Sequence, residues 1–160
     1  KLAYACESPR TDMALLRELC NEIEYTPVSF LAVDVNGMPV YHTNVVMSVG
    51  THHVIVCMDA VTDVLEKTML RHTIEKTGKR LVEISYAQMS GFAGNVLQVT
   101  NTSNGSVWLM SETALNAFTD NQINELQKTC SAVSASIPTI ETLGGGSLRC
   151  MLAGIHAPAK

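Results

Sequence analysis

The chain has 160 residues, 46% hydrophobic and 16% charged, enough apolar side chain for one core and too little charge for a disordered tail. Its formal net charge of −4 offers no basic field for nucleic acid or an anionic membrane surface, and no apolar run approaches the roughly 20 residues of a membrane-spanning helix. Cys6, Cys20, Cys57, Cys130 and Cys150 are widely spaced, with no pair at metal-knuckle spacing, so reduced thiols in a cytoplasmic protein are expected.

In chain order, Leu2 to Cys6 reads as a strand, Thr11 to Ile23 as a helix with Leu15, Leu16, Leu19 and Ile23 on one face, and Val28 to Val33 as a strand. Val45 to Gly50 and His53 to Met58 are short β-branched runs that predict a hairpin. From Thr62 to Thr77 the period becomes helical through Val61, Leu65, Met69, Leu70 and Ile74, with Thr62 or Asp63 to cap the start and Gly78 to end it. Arg80 to Ser85 alternates as a strand. The same order then recurs. Asn95 to Thr100 and Val107 to Ser111 are strand-like around the Asn-Gly turn at 104–105. Leu115, Phe118, Ile123, Leu126, Gln127 and Cys130 give a helical face, with Thr119-Asp120 as a second cap inside it. Ile137 to Leu143 reads as an extended segment that Pro138 places near an edge, and Leu148 to Ile155 as a further apolar run.

The unit is strand, strand, helix, strand. His42, Asn95 and Cys150 each precede or open the first strand of a unit, about 53 and 55 residues apart, within the range of repeat architectures. The predicted organisation is a single α/β unit of about three ββαβ modules: a partial module over 1–40, modules over 41–90 and 91–143, and a closing strand over 144–156. Nothing in the sequence closes such modules into a ring, and the chain starts at Lys1, so it reads as cut from a larger ring.

Gly144-Gly145-Gly146 ahead of Ser147-Leu148-Arg149-Cys150 lets backbone pass beside a ligand with no Cβ in the way. Two readings fit: Cys150 faces a pocket, or a flexible turn leads into a buried cysteine. If modules surround an axis, their equivalent positions converge on it, so His42 and Cys150 meet there as a thiol and its proton partner. Other candidates read as ordinary structure. His52-His53 is a hairpin tip, and Cys6, Cys20, Cys57, Cys130 and Trp108 are core. His72 is solvated among charges. Asn95 either lines the axis or caps backbone. His156 lies in a short Ala/Pro tail and has no assigned role. No phosphate loop, nucleotide fingerprint or metal cluster is visible, so no cofactor and no metal are expected.

The stretches SPRT (8–11), YHTNVVMSVG (41–50), FAGNVLQV (92–99) and IPTIETLGGGSLRCMLA (137–153) resemble the amidinotransferase-related branch of the guanidino-group-modifying superfamily. Within that branch the chain is similar to the citrulline-utilisation hydrolases, relatives of arginine deiminase and dimethylarginine dimethylaminohydrolase. The resemblance implies the α/β-propeller (pentein) fold, five ββαβ modules around a pseudo-fivefold axis, of which about two would lie upstream of Lys1.

By the same resemblance Cys150 is the nucleophile, His42 the catalytic histidine, and Arg10 a grip for a substrate α-carboxylate, with Asn44, Gly145 and Gly146 beside the substrate. The implied function is a cysteine-dependent hydrolysis of C–N bonds in small guanidino or ureido amino acids. Transfer of the amidino group, a non-catalytic binding module and an inactive truncated fragment are the alternatives. Arginine deiminases carry His-x-Asp where this chain has His42-Thr43-Asn44, and an amide selects less for a cation, which favours a neutral ureido group or a different amidine. The acidic residues that bind the guanidinium and partner the histidine belong, in the family, to upstream modules. The chain is therefore expected to hold an incomplete pocket, and to form homo-oligomers or associate with those modules.

Overall fold

The computed structural model describes residues 1–101, 103 and 105–154. Strand β1 (Leu2–Cys6) lies parallel to strand β2 (Thr26–Phe30), and helix α1 (Met13–Glu22) makes the crossover that parallel neighbours require. The helix starts where the Asp12 carboxylate accepts the Leu15 N–H at 2.8 Å. Its expected apolar face is uncovered. Cys20 is its buried residue, whereas Leu15, Leu19 and Ile23 are 63%, 49% and 45% exposed.

Two three-stranded sheets come next, built on one plan. A short helix α2 (Thr43–Val46) leads into β3 (Met47–Val49), which pairs antiparallel with β4 (His53–Val56). Helix α3 (Val64–Lys76), capped by Asp63, returns the chain to β5 (Arg80–Glu83), parallel to β4. After helix α4 (Tyr86–Ser90), β6 (Leu97–Thr100) and β7 (Ser106–Ser111) pair antiparallel. Helices α5 (Glu112–Ala117) and α6 (Asp120–Gln127) then cross to β8 (Ser131–Ala135), parallel to β7. The strand-strand-helix-strand order read from the sequence is thus present twice, and no sheet closes on itself among the described residues.

The core runs through the central strands. Val54, Ile55 and Val56 of β4 and Trp108 and Met110 of β7 are fully buried, with Leu70, Ile74 and Leu126 packed on them from the helices. Gly50 leaves room for this, since a Cβ there would lie 2.6 Å from the Trp108 ring. Cys6, Cys20, Cys57 and Cys130 are buried, and His72 is exposed.

Several expectations are corrected. Residues 137–143, read as a strand, belong to helix α7 (Pro138–Gly144), with Pro138 in its first turn. There the missing N–H costs nothing and the fixed φ suits the helix. The last strand of that unit is instead β8. Part of the run 45–50 is α2. The described part of the expected closing strand at 144–156 holds a 3-10 turn over Leu148–Met151. His53 is no hairpin tip: it is buried in β4, with Nε2 3.3 Å from Glu125 and Nδ1 3.3 Å from Thr129. Asn104 of the expected turn at 104–105, Ile155 and His156 lie outside the described residues.

Candidate active site

The site forms where three loops meet, and each has a local cause. In the first, Ser8 Oγ donates to the Tyr41 carbonyl at 2.9 Å and accepts the Arg10 N–H at 3.1 Å. This folds Ser8-Pro9-Arg10-Thr11 against the segment carrying His42 and puts the Arg10 guanidinium 5.1 Å from the centre of the Tyr41 ring. In the second, His42 precedes α2, and Thr43 Oγ1 accepts the Cys6 N–H at 2.9 Å, fixing that helix to the end of β1. Tyr41 and His42 meet edge-on at 4.8 Å.

The third loop carries the sulfur. Helix α7 ends at Gly145, whose φ of +67° is the left-handed terminator that glycine adopts without strain. A Cβ on Gly146 would sit 3.0 Å from Cys150 Cβ and 3.1 Å from its Sγ, so that glycine clears space for the thiol itself. Glu141 anchors the turn. It is 8% exposed and accepts from Ser147 Oγ and Thr113 Oγ1, both at 2.6 Å. Burial pushes its carboxyl up, but hydrogen bonds from Ser111, Ser147 and Thr113 outweigh burial and hold the group below its ordinary value. Arg149 Nη1 donates to Met47 O at 3.1 Å and Ser48 Oγ at 2.9 Å, tying the turn to β3. Burial lowers the Arg149 guanidinium from its ordinary value, and the neighbouring Cys150 works against that.

Of five free cysteines, Cys150 alone is exposed. Its sulfur receives two amide N–H groups, from Asn95 Nδ2 at 3.1 Å and Asn44 Nδ2 at 3.4 Å. It opens on two adjoining cavities. One, of about 140 Å³, is walled by His42, Asn44, Phe92, Asn95, Gly145 and Cys150 among others. The other, of about 470 Å³, is walled by Arg10, Tyr41, His42, Asn44, Gly146 and Cys150, with Gly144. All six residues singled out from the sequence therefore line these cavities. No carboxylate lines either one among the described residues, and no group of three or more His, Cys, Asp or Glu there could hold a metal ion.

The arrangement can present a sulfur nucleophile to a small ligand, with an imidazole in the same cavity and a guanidinium at its rim. Sequence reasoning left Asn95 undecided and passed over Tyr41, Met89, Ser90, Phe92 and Glu141. The signal for Met89 and Ser90 was Ser85-x-x-Gln88, the capping box that starts α4.

Over residues 1–157 the chain matches the family described as N,N dimethylarginine dimethylhydrolase, eukaryotic. A comparison with curated protein sequences finds no match. Among solved structures, AgrE in ternary complex with ornithine and NAD+ superposes with a TM-score of 0.72 at 14% identity, covering 98% of this chain and 21% of that one. The N-terminal domain of ArgZ, an arginine dihydrolase from the ornithine-ammonia cycle in Cyanobacteria, bound to substrate, gives 0.68 at 14% identity, covering 91% and 48%. The same domain covalently bound to a reaction intermediate gives 0.65 at 17%, covering 92% and 49%. At these identities the likeness is one of fold, and the chain spans about half of that domain.

Proposed function

The chain belongs to the eukaryotic N,N dimethylarginine dimethylhydrolase family, among the pentein relatives of arginine deiminase, and from that premise we propose that it carries the nucleophile-bearing part of a cysteine hydrolase acting on guanidino or ureido amino acids. The observation behind this reading is the meeting of Cys150, the one exposed thiol, with His42 and Arg10 around shared cavities. In the proposed reaction the Cys150 thiolate forms a C–S bond to the planar central carbon, giving a tetrahedral adduct. The C–N bond to the departing amine breaks as His42 delivers a proton to that nitrogen. Water then attacks the S-bound carbon and loses a proton to His42, and cleavage of the C–S bond returns the thiolate. Guanidino substrates leave as ureido compounds and ureido substrates as carbamates, with no change of oxidation state. Arg10 holds the substrate α-carboxylate by a charge-assisted pair, which sets the distance to the sulfur. Gly145 and Gly146 admit the substrate beside it.

Asn44 in place of a carboxylate supports a neutral ureido group or an amidine other than free arginine. Cavities with no carboxylate on their walls among the described residues support completion of the pocket by further ββαβ units, with 1–160 acting as one part of a larger pentein unit. Turnover of citrulline, arginine and methylated arginines by the native protein, Cys150→Ala and His42→Ala tests the reading. Loss of turnover in both folded variants supports it, and unchanged turnover rejects it. Product analysis separates hydrolysis from amidino transfer to a second amine.

A further inference from the structure

The loop that carries Asn95 is built against resistance. Phe92, with a side chain, holds a φ of +65°, a left-handed backbone that strains a non-glycine residue. Gly94 presses so close to α2 that a Cβ there would stand 2.2 Å from the Val45 carbonyl oxygen. The result of this crowding is that Asn95, 2% exposed, reaches two partners with one amide nitrogen. Nδ2 donates to the Asn44 carbonyl at 3.0 Å and to Cys150 Sγ at 3.1 Å. The backbone carbonyl can only accept, so it fixes which end of the amide faces it, and the second N–H must then point at the sulfur. The remaining atom, Asn95 Oδ1, is buried without a hydrogen-bond partner, as is Asn44 Oδ1.

We propose that Asn95 is the positioning residue of the Cys150 sulfur, steering it and stabilising its negative charge through Nδ2. Hydrogen bonds to a charged form favour that form, so an amide aimed at sulfur makes it reactive at lower pH.

The test is the rate of iodoacetamide alkylation against pH, in the native protein and in Asn95→Ala, Asn95→Asp and Asn44→Ala, with intact-mass and peptide mapping. The other four thiols are buried, so a single adduct on Cys150 is expected. Asn95→Ala slows alkylation and moves the profile towards higher pH, and Asn95→Asp does so further, because a carboxylate repels the thiolate. Asn44→Ala, which loses the longer contact, moves it less. An unmoved midpoint in folded Asn95 variants overturns the positioning role. Should those variants lose the native far-UV spectrum, Cys150→Ser in the otherwise native chain decides. The Asn95 side-chain amide resonances shift if Nδ2 binds the sulfur, and stay in place if it does not. Loss of turnover in Cys150→Ala with unmoved profiles in Asn95 variants rejects this role and leaves the hydrolase reading standing. Moved profiles with no turnover of any guanidino or ureido amino acid do the reverse.

Discussion

A methyl group on Gly94 has nowhere to go, because the Val45 carbonyl behind it belongs to a helix tied to β1 by Thr43. Gly94→Ala is therefore expected to lower stability by about 1–3 kcal/mol, as overpacking does, seen as a lower urea midpoint with unchanged slope. A midpoint equal to that of the native protein would show that the two loops are free to part. Three residues that line the larger cavity were legible in the sequence: Cys150 after its glycine run, His42 at a repeat-equivalent position, and Arg10 through the family resemblance. Asn95 was legible only as a position. An asparagine before a strand is usually a backbone cap, and its second N–H gains meaning only when a sulfur 55 residues away is seen beside it. Gly145 and Gly146 drew attention as an opening for ligand, whereas one ends a helix and the other makes room for the sulfur.

At the level of elements, the long-period features were readable and the short ones were not. Helix α3 and the hairpin of β3 and β4 came from periodicity and turn residues. Strand β8 did not, because Ser131–Ala135 is made of small residues with alternate positions exposed, leaving little apolar alternation to detect. Pro138 fits both an edge strand and a helix start, and Glu141 decides between them: one turn into a helix, its carboxylate is satisfied by the hydroxyls of Thr113 and Ser147. Glu141 thereby fastens α7 to Thr113 of α5 and to the turn before Cys150. Glu141→Ala leaves the buried Ser147 hydroxyl without its acceptor and is expected to cost about 1–3 kcal/mol in chemical denaturation. Alkylation of Cys150 should slow in the same variant as its turn loosens. A variant as stable as the native chain would mean that the anchor is dispensable.

Across the whole molecule, the two three-stranded sheets are joined by a charged cluster. Glu125 of α6 meets Arg80 of β5, Lys128 and the buried His53 of β4. Lys128 and Arg80 hold its carboxyl down at about 2 against an ordinary 4.5. A lowered carboxylate contributes stability above its ordinary value and loses it as the pH falls through the folded-state value. The native protein should therefore weaken from about pH 4.5 towards 2, and Glu125→Gln should flatten that part of the urea-midpoint profile. Identical acid profiles in the two proteins would contradict this.

The uncovered stripe of Leu15 and Leu19 on α1 and Ile23 just after it, with Val64 and Leu65 of α3 at 74% and 80% exposed, is apolar surface that a lone chain leaves in water. On the proposal that further ββαβ units accompany this one, the isolated chain self-associates in size-exclusion chromatography. A monomeric peak at all concentrations would argue that these faces need no partner.

Covalent labelling with 2-chloroacetamidine, an amidine that offers the sulfur a planar C–N centre and a leaving chloride, tests the pairing of Cys150 with His42 most directly. One adduct per chain is expected by intact mass, mapped to Cys150, formed more slowly in His42→Ala and blocked by a guanidino or ureido amino acid. Labelling spread over several cysteines, or a rate at Cys150 indifferent both to His42 and to such ligands, would contradict the hydrolase reading.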